Sequence, residues 1–203
     1  LNIDVFNEKV EIIKGFPRPY YMMTGLDESY DGVLLIGYHS AVGSIGNMDH
    51  TYSSSTIFEI KINGRPMSEF LINSYFAGEM NIPILLTSGG SEFISYIEEM
   101  NSKIETITTK GEYGRFSAKI VSFEKINEYS REVILNMKEP DEYPIFKEMD
   151  EPVLEITFLS TSHAEVAELI PGVERTTGRS IKYNAKDMKE LYRVMMACVF
   201  ITK

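Results

Sequence analysis

The chain has 203 residues, of which 43% are hydrophobic and 25% charged, and these averages exclude global disorder and a fibrous repeat. Its 30 acidic and 20 basic side chains give a net charge of −10, which repels a phosphate backbone, so no nucleic-acid partner is expected. No apolar run approaches the roughly 20 residues that span a bilayer and no signal-peptide pattern opens the chain, so the sequence predicts a cytoplasmic protein with no membrane partner.

The first half of the chain contains three strand patterns. Val33 to Gly37 and Ile82 to Thr87 are continuous apolar runs bounded by turn residues, which predicts two fully buried strands. Between them, Thr56 to Ile62 alternates apolar and polar residues and leads into Asn63-Gly64, a frequent hairpin turn. This middle pattern predicts an exposed-edge hairpin strand.

Three helical patterns are interleaved with these strands. Helices are predicted over Ser68 to Gly78, with Gly78 as the stop, over Glu92 to Met100, and over Ser122 to Met137. The third has an apolar face of Ile126, Tyr129, Val133, Ile134 and Met137. Alternating strands and helices indicate an α/β fold with a mainly parallel sheet flanked by helices.

A polar, proline-containing break from Lys138 to Pro144 precedes a smaller α+β unit. We therefore predict an α/β core over residues 1–140 and a C-terminal unit over residues 150–203, which packs on the core or forms oligomer contacts. The unit should contain strands at 153–158 and 180–183, a helix with a Ser162–Glu165 capping box that ends at Pro171-Gly172, and a last helix. Cys198 lies in this last helix and is predicted to be a buried apolar side chain.

Two of the three histidines follow the first predicted strand. Ligands of parallel sheets bind beyond strand ends, which places His39 well for metal binding; a hydrogen-bonded structural histidine is the competing interpretation. His50 follows a glycine-containing loop and also has two interpretations: a general base that transfers a proton, or a structural histidine. Its neighbour Asp49 is not expected to orient it, because adjacent side chains of an extended chain point to opposite faces.

Other polar residues give weaker signals. Glu69 begins a helix, where a carboxylate compensates the helix dipole without any further role. The segment Gly111 to Arg115 lacks the spacing of a phosphate-binding loop and is predicted to be a turn with a surface arginine. His163, in the first turn of a helix, is expected to be exposed.

Seven segments of the chain form an ordered pattern. They are Leu35-Ile36-Gly37-Tyr38-His39, Gly46-Asn47-Met48-Asp49-His50, residues 64–73, Tyr75-Phe76-Ala77-Gly78, Ile82-Pro83-Ile84-Leu85, residues 169–173 and residues 184–188. Together they resemble the zinc-dependent D-aminopeptidase family of dipeptide-transport operons. These blocks cover almost the whole chain.

The resemblance implies an aminopeptidase with two zinc ions in each complete active site, acting on short peptides with an N-terminal D-residue, such as D-alanine dipeptides. It also implies a homo-oligomer. By position, His39 matches a zinc-ligand histidine, Glu69 a zinc-ligand glutamate and His50 the histidine assigned to catalysis.

The chain also departs from the family pattern. The family's Asp-x-Glu strand and a further histidine loop would lie before Leu1, so roughly the first third of a usual member is expected to be absent from this sequence. Ser88-Gly89-Gly90 stands where the family usually has Gly-Asp-Asp. Two alternatives follow: a catalytically inactive assembly or binding subunit of the same fold, or a different hydrolase with one metal on His39 and Glu69.

Overall fold

The computed structural model describes residues 9–147 and 149–202. The strands in this part of the chain are β1 (Val33–Tyr38), β2 (Ile57–Ile62), β3 (Arg65–Pro66), β4 (Ile84–Gly90), β5 (Glu105–Gly114), β6 (Ser117–Ile120), β7 (Val153–Phe158), β8 (Glu174–Arg175) and β9 (Ser180–Asn184). The α-helices are α1 (Glu69–Glu79), α2 (Ser91–Met100), α3 (Phe123–Leu135), α4 (Thr161–Ala167) and α5 (Met188–Ile201).

The first sheet has the strand order β1-β4-β5-β6. β1, β4 and β5 are parallel, and β6 is antiparallel to β5. α2 contacts β4 and β5, and α1 contacts β1. The predicted α/β class with a mainly parallel sheet flanked by helices is confirmed.

The prediction that β1 is fully buried is wrong. Leu35 and Tyr38 are buried, whereas Leu34 is 44% exposed and Ile36 is 64% exposed. Within the described residues β1 is an edge strand, and only one of its faces is covered by other elements. A continuous apolar run therefore does not report by itself that both faces are covered.

The second sheet is antiparallel and has the order β3-β2-β7-β9-β8. Its first hairpin turns at Asn63-Gly64, as predicted, with positive φ at both residues. β2 itself lies inside the sheet instead of at an exposed edge, because it pairs with β7 on its other side. Strands from both predicted units thus share one sheet; the division at residues 140–150 stays a prediction.

α1 is the most buried helix of the described chain. Its N-cap Ser68 accepts a hydrogen bond from the Leu71 amide (3.1 Å), which satisfies a backbone donor that the helix itself leaves free. The helix continues one residue beyond Gly78, the predicted stop. Glycine is needed at position 78 for close packing instead, since a Cβ there would lie 1.8 Å from the carbonyl oxygen of Phe146.

Replacing Gly78 with alanine should destabilise the fold by at least about 2 kcal/mol, because the new methyl group overlaps backbone that cannot rotate away. The gain in helix propensity, at most about 1 kcal/mol, does not offset this. Urea unfolding measures the difference. Gly111→Ala is the matched control, since nothing lies within 4 Å of its new Cβ. Equal free energies of unfolding for the two variants would contradict the close packing at Gly78.

The hairpin formed by β5 and β6 was not predicted. Residues 111–114 belong to β5, and only Arg115 and Phe116 form the turn. α3 forms over the predicted residues with Ser122 as N-cap, yet none of its residues is buried. Its apolar face is left uncovered because α3 contacts β5 and little else in the described chain.

The C-terminal elements follow the predicted order, with three corrections. α4 is capped by Ser160 instead of Ser162, and it ends at Ala167, before Pro171-Gly172. The ring of His163 is half-buried against Phe158 instead of exposed. Cys198 is buried in α5 as predicted, and burial raises the pKa of its thiol to about 12. Among the described residues, no helix combines the length and apolar character that a membrane crossing needs.

Candidate metal centre

Three side chains that the sequence singles out meet at one edge of the first sheet. His39 follows the last residue of β1, His50 lies in the loop between β1 and β2, and Glu69 is the first residue of α1. One potential ligand atom from each lies within 4.8 Å of the others. The parallel strand and the buried helix therefore bring together residues that are 30 positions apart in the chain.

The two imidazole rings are stacked and both approach the same carboxylate oxygen. Their centroids are 4.1 Å apart with an interplanar angle of 14°. Glu69 Oε1 lies 3.7 Å from His39 Nε2 and 3.6 Å from His50 Nε2. Glu69 is only 8% exposed, so a solvated carboxylate that does no more than compensate the helix dipole does not describe it.

Backbone carbonyl groups define the tautomer of each histidine. Nδ1 of His39 lies 3.0 Å from the Ser40 carbonyl oxygen, and Nδ1 of His50 lies 2.7 Å from that of Met48. A carbonyl oxygen only accepts, so Nδ1 of each neutral ring carries the proton and donates. Both Nε2 lone pairs are then free and face Glu69.

Three hydrogen-bond acceptors thus converge on one point, an arrangement that is favourable when a cation or a proton lies between them. An imidazole nitrogen and a carboxylate oxygen are ligands that zinc prefers, and ligand atoms at bond lengths of about 2.0–2.1 Å in a tetrahedron lie roughly 3.4 Å apart. The separation of 3.7 Å between His39 Nε2 and Glu69 Oε1 is close to this value. The donor set therefore fits a zinc ion.

A model of the D-aminopeptidase family matches residues 1–197 of the chain. The chain belongs to the D-aminopeptidase family. A D-aminopeptidase of Bacillus subtilis (strain 168) is 31% identical over 201 residues, which cover 97% of this chain and 72% of that protein. The family assignment confirms the resemblance and the predicted enzyme class.

A solved structure has the same fold. It is described as the Zn-dependent D-aminopeptidase DppA from Bacillus subtilis, a self-compartmentalizing protease. The alignment has a TM-score of 0.88 and 29% identity, and it covers 98% of this chain and 73% of that one.

Backbone groups hold the site of this D-aminopeptidase family member in place. The Tyr52 amide donates to Glu69 Oε1 (2.7 Å), and the Met48 carbonyl accepts from His50. Both Tyr52 and Met48 have positive φ, 61° and 54°, which is costly for residues other than glycine. Two of the six non-glycine residues with positive φ in the described chain thus orient the site.

A buried polar network below the site was not found from the sequence. Asn73, one helical turn after Glu69, accepts hydrogen bonds from the hydroxyls of Tyr52 (3.1 Å) and Tyr192 (2.9 Å) and donates to that of Tyr38 (2.6 Å). Burial raises the pKa of all three tyrosines well above the usual value, so they remain neutral hydrogen-bonding groups. The spacing of four between Glu69 and Asn73 is a sequence signal that points to a shared helix face.

Asp49 does not orient His50, in agreement with the expectation from the sequence. Its carboxylate accepts from the Gly43 amide (3.2 Å) and pairs with Arg115 Nε (3.0 Å). In the segment Ser88-Gly89-Gly90, which stands where the family pattern usually has Gly-Asp-Asp, Ser88 accepts a hydrogen bond from the Gly37 amide (3.0 Å). Within the described residues, the group of potential metal ligands consists of His39, His50 and Glu69.

Proposed function

We propose that the chain belongs to a zinc-dependent aminopeptidase that hydrolyses short peptides with an N-terminal D-residue, such as D-alanine dipeptides. The observation that carries this proposal is the convergence of His39, His50 and Glu69 in a chain of the D-aminopeptidase family. The zinc dependence of DppA supports the choice of metal.

In this proposal His39 and Glu69 are metal ligands, and the complete active site holds two zinc ions. Each zinc ion usually has at least three protein ligands, so the complete site requires donors in addition to these two residues. When bound, zinc supplies Lewis acidity toward the peptide carbonyl and the attacking water.

His50 has the catalytic role in this proposal. Its Nδ1 proton is held by the Met48 carbonyl, so Nε2 is the ring atom that accepts a proton and returns it during peptide cleavage. The side chain is 24% exposed, which leaves it accessible to a substrate. The Glu69 carboxylate, which accepts a hydrogen bond from the Tyr52 amide, lies 3.6 Å from this nitrogen.

We also propose that the protein is a homo-oligomer. DppA is described as self-compartmentalizing, which requires several copies of a chain. The uncovered apolar residues around the β5–β6 hairpin and α3 are consistent with contacts between copies. They are Tyr113, Phe116, Ile120, Phe123, Ile134 and Leu135.

Removing the metal should abolish activity. The complete protein is incubated with D-alanyl-D-alanine, and free D-alanine is measured before and after treatment with 1,10-phenanthroline. We expect release that the chelator stops and added zinc restores, with L-alanyl-L-alanine as the stereochemical control. Release that the chelator leaves unchanged would contradict the metallopeptidase. A purified protein with neither zinc nor turnover would instead support the inactive assembly subunit.

A further inference from the structure

We propose that Arg115 is a positioning residue for His50. The proposal rests on the proposed function, in which His50 has the catalytic role, because it names the residue that holds His50 in position. Arg115 lies 65 residues after His50, in the turn of the β5–β6 hairpin, and it acts through the loop segment 47–49.

The hairpin turn contacts three consecutive loop residues. The Arg115 carbonyl oxygen accepts from the Met48 amide (2.8 Å) and from Asn47 Nδ2 (3.0 Å). Its guanidinium pairs with the Asp49 carboxylate (3.0 Å) and donates to the Asp49 carbonyl oxygen (3.2 Å). Asn47 Nδ2 also donates to the carbonyl oxygen of Gly114 (3.2 Å).

These contacts bear directly on the orientation of His50. The Met48 amide donates to the backbone carbonyl oxygen of Arg115, and the Met48 carbonyl oxygen accepts a hydrogen bond from Nδ1 of His50. The Arg115 guanidinium holds Asp49, the residue between Met48 and His50. Met48 has φ of 54°, a conformation that persists only when its surroundings enforce it. The segment has no helix or strand of its own, so the hairpin supplies the rigid support.

The side chain of Arg115 is suited to a positioning role more than to a stabilising one. It is 46% exposed, and ion pairs that are open to solvent contribute little to global stability. Its planar guanidinium contacts both the side chain and the backbone of Asp49, which fixes the direction of the loop. Loss of these two contacts changes the orientation of His50 and leaves the overall fold intact.

The test compares Arg115→Ala, Arg115→Lys and His50→Ala in the complete protein, with Arg131→Ala on the exposed surface of α3 as the matched control. A misplaced catalytic group costs up to about 100-fold in rate. We expect Arg115→Ala to lower kcat by about 10- to 100-fold, with KM, zinc content and Tm close to those of the parent protein. Arg115→Lys should recover part of kcat, and Arg131→Ala should retain all of it.

A second measurement does not depend on activity. Diethyl pyrocarbonate acylates unprotonated imidazole nitrogens, and mass spectrometry of the metal-free protein reports the rate separately for His50 and His39. Arg115→Ala should change the His50 rate several-fold and leave the His39 rate unchanged. Combining Arg115→Ala with Asp49→Asn should lower kcat no further than either change alone, because the pair acts as one unit.

The outcomes separate this proposal from the proposed function. Full activity of His50→Ala would contradict the catalytic role on which both rest. An inactive His50→Ala together with a fully active Arg115→Ala would overturn only the positioning role. Unchanged acylation of His50 in Arg115→Ala would also overturn only the positioning role. Additive kcat losses for Arg115→Ala and Asp49→Asn would do the same.

Discussion

Replacing His50 with alanine should lower kcat on D-alanyl-D-alanine by about 100- to 10,000-fold, the usual contribution of a general acid–base group. The zinc content should stay unchanged, because His39 and Glu69 remain as ligands in the proposed site. The physical reason is the loss of Nε2, the ring atom that faces the Glu69 carboxylate while Nδ1 contacts the Met48 carbonyl oxygen. Single-turnover rates and inductively coupled plasma mass spectrometry measure the two quantities.

His163→Ala is the control for this substitution, since His163 lies in α4, outside the ligand group. It should retain activity within about twofold, as substitutions away from a site usually do. Loss of zinc from His50→Ala would show that His50 is a metal ligand instead of the catalytic group. Unchanged turnover would remove it from the mechanism and favour a hydrolase that uses a single metal on His39 and Glu69.

Replacing Glu69 with glutamine should weaken zinc binding by at least about 100-fold, more than the typical cost of losing a group that only supports a ligand. Turnover should fall with metal content and recover partly at high zinc concentration. Glutamine keeps an oxygen that can accept the hydrogen bond of the Tyr52 amide, so the charge is the main property that changes. Calorimetric titration of the metal-free protein with zinc measures the affinity.

Glu79 provides a matched control on the same helix. It also accepts a backbone hydrogen bond, from the Met188 amide at 2.7 Å, but it lies at the opposite end of α1. Glu79→Gln should bind zinc as the parent protein does. Equal zinc affinities for Glu69→Gln and the parent protein would exclude Glu69 as a ligand.

A third variant, Glu69→Ala, separates charge from structure. It leaves the Tyr52 amide without its carboxylate partner, and an unsatisfied buried donor costs about 1–3 kcal/mol. We therefore expect Glu69→Ala to be less stable than Glu69→Gln, with similarly weak zinc binding in both.

Local sequence signals predicted the elements that depend on a few neighbouring residues. The Asn63-Gly64 turn is present and α1 begins directly after Ser68, the predicted start, because turns and helix starts are decided by residues adjacent in the chain. The β5–β6 hairpin was missed, since its polar strands lack a clear apolar alternation and are ordered by the pairing of β5 with β4 and of β6 with β5. Burial of β1 was misjudged because an apolar run does not report which faces have neighbours.

By itself, the sequence determined the types of donor atom at the site and their order along the chain. His39 and His50 could be singled out because histidine is scarce and both follow the first strand, and Glu69 because it matches a zinc-ligand glutamate of the family pattern. Only the tertiary structure decided the tautomers, through the Ser40 and Met48 carbonyls, and the support from Tyr52 and Arg115. All of these contacts use backbone groups that every residue carries, so no pattern of side-chain types encodes them. The carbonyls that set the tautomers depend on the local backbone conformation, and the contacts of Tyr52 and Arg115 join segments distant in the chain.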